Sequence, residues 1–158
     1  MAPGCRVVSG NALDYRTYAA HVSPADTFVH LVGVSHPSPS KAELAAATAA
    51  RVGHFVYVSV TQPAPVMRAY VAARAEAAEP IRASGLNATI LRPWYVLGPG
   101  HWWPVVLLPL YGLASLVPAT RESARRLGLV TLGQMVRALV AAVADPAHGT
   151  RVVEVPQI

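Results

Sequence analysis

The chain has 158 residues, enough for one domain with a core of its own, and 53% of them are apolar. Thirteen basic residues against eight acidic ones leave a net charge of +5, but they are spread singly from Arg6 to Arg151 with only Arg125 and Arg126 adjacent; without a basic stripe, nucleic acid is not expected as a partner. The single Cys5 excludes an internal disulfide, and no Cys/His cluster has zinc spacing, so a metal-free fold in a reducing compartment is expected.

Met1 to Arg6 lack the apolar core of a secretory signal, which points to the cytoplasm. Arg6-Val7-Val8 then reads as a short strand and Asp14 to His21 as a brief helix. Asp26 to Val34 is an apolar run of the kind found in strands buried on both faces, ending in the Pro-rich loop Ser35 to Ser40. His30 and His36 flank that boundary and are the nearest approach to a metal pair; their setting argues against one, and no metal site is expected. Lys41 to Arg51 predicts a helix closed by Gly53, and His54 to Val60 the next strand, an interval close to the dozen or so residues that a parallel crossover needs.

Met67 to Ala83 predicts a long helix with Pro80 as its irregularity, and Asn87 to Arg92 a strand stopped by Pro93. The segment from Pro93 through Gly98-Pro99-Gly100 predicts a loop, because its breakers exclude helix and ladder alike. Val105 to Leu116 predicts one apolar helix or two half-helices. This stretch is too short to span a bilayer, so no integral membrane segment is expected. Trp102 and Trp103 at its start would suit a membrane surface, but the absence of charge between His101 and Arg121 favours core or pocket wall. Leu127 to Thr131 predicts a short strand, Leu132 to Ala144 an amphipathic helix and Arg151 to Val155 a last strand.

Strands alternating with alanine-rich helices are the mark of parallel βαβ units. The expectation is a single α/β domain over residues 1–158, with a Rossmann-like parallel sheet flanked by helices in 1–100 and C-terminal helices with the last strand in 101–158. In such sheets ligands bind beyond the carboxyl ends of the strands. Those ends are His30 to Ser35, Ser59 to Gln62 and Pro93 to His101. Ser59 is placed there to hydrogen-bond a substrate oxygen. Tyr70 and Arg74, four apart on the next helix, share a face, where a fixed cation can stabilise a phenolate. A phenol titrates near ten, so bringing it to seven takes about 4 kcal/mol of differential stabilisation.

The succession His30-Leu31-Val32-Gly33, Tyr57-Val58-Ser59, Tyr70-x-x-x-Arg74 and Leu91-Arg92-Pro93-Trp94-Tyr95-Val96-Leu97-Gly98-Pro99-Gly100 resembles the extended and atypical short-chain dehydrogenase/reductases, and within them the NmrA-like and complex-I-associated NAD(P)-binding branch. The likeness runs over nearly the whole chain. It implies NADP or NAD as cofactor, with Asn11 and Ala12 beside the adenine, Leu31, Val32 and Gly33 along the adenosine ribose, and Pro93, Trp94 and Val96 against the nicotinamide. It further implies Ser59 as the active-site serine and Tyr70 as proton donor or acceptor, in an oxidoreductase or an epimerase/dehydratase relative acting on a small molecule.

Two departures from the family pattern stand out. Arg74 occupies the place of the family's lysine, keeping the charge but not its compact geometry. The family's first strand and glycine-rich turn should precede Cys5, yet none of the eleven glycines forms a G-x-G-x-x-G cluster, the turn that holds a pyrophosphate. The expectation is therefore an N-terminally truncated sheet with a small C-terminal substrate-side portion, weakened or lost cofactor binding, and a bared sheet edge open to homodimerisation. A nucleotide-fold protein without chemistry of its own, acting as regulator, assembly factor or remnant, stays open beside the oxidoreductase reading, as does a membrane-surface module built on Trp102 to Pro118.

Overall fold

The computed structural model describes residues 4–11, 14–22, 26–31, 44, 47–48, 51–61, 68–100 and 102–158, giving only the backbone at 15, 68–70 and 73–77. Four strands form a wholly parallel sheet in the order β1-β2-β3-β6: β1 is Thr27–His30, β2 His54–Val58, β3 Ala88–Arg92 and β6 Thr150–Glu154. Its register runs from Thr27 opposite His54, through Val58 opposite Leu91, to Arg92 opposite Glu154. Two short strands, β4 (Tyr95–Leu97) and β5 (Leu129–Thr131), make a separate parallel pair. Helices with both ends among the described residues are α1 (Arg68–Ala83), α2 (Leu108–Leu116), α3 (Pro118–Arg126) and α4 (Leu132–Ala144).

Strand alternation divides the core into two layers. Phe55, Tyr57, Ala88 and Ile90 face Leu44, Ala47, Ala78 and Ile81, which belong to the helical layer containing α1. On the opposite face Val56 and Leu91 meet Met135 and Ala142 of α4 and Val130 of β5. This is the helix–sheet–helix sandwich of a Rossmann-like fold. The inner strands β2 and β3 are apolar on both faces because helices cover both.

Local chemistry sets several boundaries. Thr131 accepts a hydrogen bond from the Gln134 backbone N–H (3.2 Å), while the Thr131 N–H donates to Gln134 Oε1 (2.9 Å), a reciprocal cap that fixes the start of α4. α1 passes through Pro80 and ends three residues later. The helical stretch holding Leu44, Ala47 and Thr48 closes at Arg51 rather than Gly53. Arg51 takes the left-handed conformation (φ 53°), its N–H reaches Thr48 O (3.1 Å), and that of Val52 reaches Ala47 O (3.2 Å).

Other expectations need correcting. Residues 6–8 form no strand; Val7 and Val8 are exposed, lacking a ladder partner among the described residues. Asp14 to His21 is two 3-10 turns, Tyr15–Thr17 and Ala19–His21. The expected loop after Pro93 contains β4, whose three residues fit between the breakers and pair with β5. The expected half-helices do occur, as a 3-10 turn at Trp103–Leu107 followed by α2, but they are not core: in this stretch only Pro104 is buried. Helix α3 was not anticipated at all. The Pro-rich loop of residues 35–40, most of the helix expected over 41–51, and Gln62 lie outside the described residues.

Candidate functional site

All four strands of the sheet are parallel, so their carboxyl ends gather at one edge. β2 and β3 keep their spacing beyond their last ladder residues. The Ser59 N–H donates to Leu91 O (2.8 Å) and the Thr61 N–H to Pro93 O (3.0 Å), while the Thr61 hydroxyl is used up on Arg92 O (2.9 Å) and Arg126 O (3.2 Å). Since Val58 lies opposite Leu91, Ser59 is level with Arg92, and Arg92 lies opposite Glu154. Alternation puts these three residues on the face of Tyr57, Ile90 and Val152, the face that α1 covers.

This row is polar and largely closed to water. Arg92 donates from Nη1 to Glu154 Oε1 at 3.1 Å, with the two side chains only 13% and 25% exposed. Each nevertheless has capacity left over, because Arg92 Nε and Glu154 Oε2 are buried and lack a hydrogen-bond partner among the described residues, as does the Ser59 hydroxyl oxygen. Buried polar atoms are nearly always satisfied, so three orphans at the tips of three adjacent strands single this row out for a functional explanation.

Tyr70 and Arg74 sit in the first two turns of α1, one helical turn apart. A helix joining two parallel strands starts at the carboxyl end of the first and returns to the amino end of the next. These turns are therefore at the same end of the sheet as Ser59. Pro93 is buried directly after β3. Trp94 donates from Nε1 to the Tyr111 hydroxyl (3.2 Å) and meets Tyr95 edge to face, and Tyr95 in turn meets Trp103. Val96 lies in β4 opposite Val130 and packs on the α4-side core.

Leu31 follows β1 and is exposed. Asn11 is held in a turn, its N–H on Thr17 Oγ1 (2.8 Å) and its carbonyl accepting from Asp14 N (2.9 Å). Ala12, Val32, Gly33, His36 and His101 lie outside the described residues. His30 is buried and stacked on Tyr57 with ring centroids 5.4 Å apart; among the described residues no group of three potential metal ligands converges. The Arg92–Glu154 pair escaped the sequence reading because its members are far apart in the chain and meet only through β3–β6 pairing; a charged residue closing each of two apolar strands was the available signal.

The opposite end of the sheet carries a second polar row. Buried His54 reaches Thr89 Oγ1 at 2.9 Å and Thr27 Oγ1 at 3.4 Å, and its imidazole is held below its usual range, chiefly by burial and then by the charge of Arg151, with Asp145 opposing. A cavity of about 310 Å³ lies here between α4, β3 and β6, but its charged groups, Arg151 and Asp145, already pair with each other at 2.9 Å. The strand tips, with unsatisfied polar atoms, are the better candidate.

Solved structures share this architecture. The Bordetella bronchiseptica enzyme WbmH, in complex with NAD+, superposes with a TM-score of 0.65 at 20% identity, over 98% of this chain and 61% of that one. DesIV, a dTDP-glucose 4,6-dehydratase from Streptomyces venezuelae with NAD and TYD bound, gives 0.68 at 21% identity, over 98% and 61%. A UDP-N-acetylglucosamine 4-epimerase from Bacillus cereus gives 0.63 at 12% identity, over 94% and 64%. These likenesses establish the fold, and the chain spans roughly three fifths of the length of each. A search of curated proteins finds no match. A family profile described as NAD(P)H-binding matches residues 1–99, well over half of the sequence, and the chain belongs to that NAD(P)H-binding family.

Proposed function

We propose that the carboxyl end of the sheet is the nicotinamide and substrate side of an NAD(P)-dependent oxidoreductase site, of the epimerase/dehydratase kind, acting on a small hydroxylated molecule. The observation that carries this reading is the row of unsatisfied buried atoms on Ser59, Arg92 and Glu154 in a chain of an NAD(P)H-binding family. The cofactor, when bound, supplies hydride exchange. Pro93 and Trp94 border the nicotinamide and Leu31 the adenosine ribose, with Asn11, Ala12, Val32, Gly33 and Val96 completing the cofactor's surroundings. The Ser59 hydroxyl donates to the substrate oxygen. Tyr70 passes the proton to or from that oxygen, and Arg74 supplies the fixed positive charge that favours the phenolate. Arg92 and Glu154 hold a neighbouring hydroxyl in register.

The second reading, a nucleotide-fold protein without chemistry, is favoured by Arg74, whose broad planar head replaces a compact ammonium at the position that tunes the tyrosine. Titration of NADPH and NADH, followed by energy transfer from tryptophan to the reduced nicotinamide, separates the possibilities. Saturable transfer that Trp94→Phe reduces supports the site, and no transfer with either nucleotide refutes it. If Tyr70 is the proton carrier, Tyr70→Phe abolishes turnover and spares binding. An active wild type indifferent to that change removes Tyr70 from the mechanism, and binding without any turnover leaves the second reading. The cytoplasmic setting and a homodimer paired along the β1 edge belong to the same proposal, the latter read from the mass in solution.

A further inference from the structure

Residues 102–117 carry a dense apolar surface. Trp102, Trp103, Val106, Leu110, Leu113 and Leu116 are each more than half exposed, Val106 and Leu116 at 72% and 78%. Helix α2 contains no charged residue and buries none of its nine residues. A nine-residue helix is too short to persist by itself in water. An apolar helix of this kind is normally found inside a protein or in lipid. It is held from two sides: Thr120 Oγ1 donates to Ala114 O (2.6 Å), tying it to α3, and Tyr111 accepts from Trp94 at the strand tips.

The charge distribution tells what covers it. From Trp102 to Thr120 there is no charge; then α3 brings Arg121, Arg125 and Arg126 against a single Glu122. Arg121 and Arg125 are exposed and form no ion pair among the described residues. Neutral apolar surface, indole rings at its border and basic side chains beside it match the layers of an anionic bilayer: acyl chains, interface and phosphates. The segment falls well short of the roughly 20 apolar residues that cross a bilayer, and among the described residues no helix is long and apolar enough to do so.

We infer that the α2–α3 hairpin docks this protein on the surface of an anionic membrane, with α2 and the Trp102–Trp103 pair in the interface and Arg121 and Arg125 on lipid phosphates. This goes beyond the strand-tip reading and does not depend on it. The test uses the full chain with phosphatidylcholine vesicles, with and without phosphatidylglycerol, followed by co-flotation and tryptophan emission. Binding only to the anionic vesicles, with a blue-shifted emission, is expected. Leu110→Glu/Leu113→Glu, at exposed positions, lowers binding at least tenfold with circular dichroism unchanged, and Val140→Glu on exposed α4 surface leaves it intact. Arg121→Gln and Arg125→Gln each cost about fivefold, and added salt mimics the loss. Equal binding to both vesicle types, or to neither, overturns the inference. So does a dimer that ignores vesicles and dissociates in the Leu110→Glu/Leu113→Glu variant, which assigns the face to a second copy.

Discussion

Strand β2 and helix α2 are both apolar runs, His-Phe-Val-Tyr-Val and Leu-Pro-Leu-Tyr-Gly-Leu-Ala-Ser-Leu, yet Phe55, Val56 and Tyr57 are shut away while Leu110, Leu113 and Leu116 stand in the open. Hydrophobicity does not separate them. β2 has a hydrogen-bonded strand on each side and helices over both faces; α2 hangs from a 3-10 turn and a second helix beyond the sheet edge. Burial follows the number of neighbours that topology supplies. Apolar surface that topology leaves uncovered is where a contact is to be sought.

The sharpest way to break this contrast is to empty the core. Ile90 is fully buried between Tyr57, Ile81 and the rest of the α1-side cluster, so Ile90→Ala should cost about 2–5 kcal/mol in denaturant unfolding, from lost transfer energy and the cavity left behind. A cost below about 1 kcal/mol would mean that the sheet is no better packed than the hairpin.

The tips of that sheet give the next effect. Glu154→Gln leaves Arg92 largely buried without its countercharge, and a loss of about 1–3 kcal/mol is expected. The paired change Arg92→Met/Glu154→Met should recover part of it, because no charge is then stranded. Chemical denaturation of Arg92→Met, Glu154→Met and the double variant forms a cycle that isolates the pair. An additive cycle would show the two side chains to be independent, and the row at the strand tips would lose its central contact.

Much of the sheet was legible because its strands are β-branched runs bounded by Gly and Pro, and α4 because its apolar stripe has helical spacing. The failures have a common cause. Arg6-Val7-Val8 has strand composition but finds no ladder; Tyr95-Val96-Leu97 is hemmed by Pro93 and Gly98 but does find one in Leu129-Val130-Thr131. Propensity is local, whereas pairing is not. The site divides the same way. Ser59 was visible as the polar residue closing an apolar run, but Glu154 acquires meaning only when β6 is laid beside β3.

His54 offers a titration at the other end of the sheet. Its imidazole is held below the ordinary 6.5, so between that value and its own lower pKa the unfolded chain binds the proton and the folded one does not. The contribution is complete above about pH 6.5 and is lost as pH falls through that window. Stability measured by urea unfolding should decline across that interval, and His54→Gln, which can still bond Thr27 and Thr89, should flatten the decline. An unchanged slope would transfer the pH dependence to another group.

The smallest expected effect bears most directly on the contrast. Leu113→Ala removes as much hydrocarbon as a core truncation, but from a side chain 65% exposed, so in water it should shift stability by less than about 0.5 kcal/mol. A value near that of Ile90→Ala would require Leu113 to be covered in the isolated protein, either by another copy of the chain or by the chain itself. Repeating the measurement across protein concentrations decides the point, because burial between copies makes the midpoint rise with concentration whereas burial within one chain does not. A near-zero, concentration-independent value is the one compatible with a helix whose apolar partner is absent from solution and is met only at a surface.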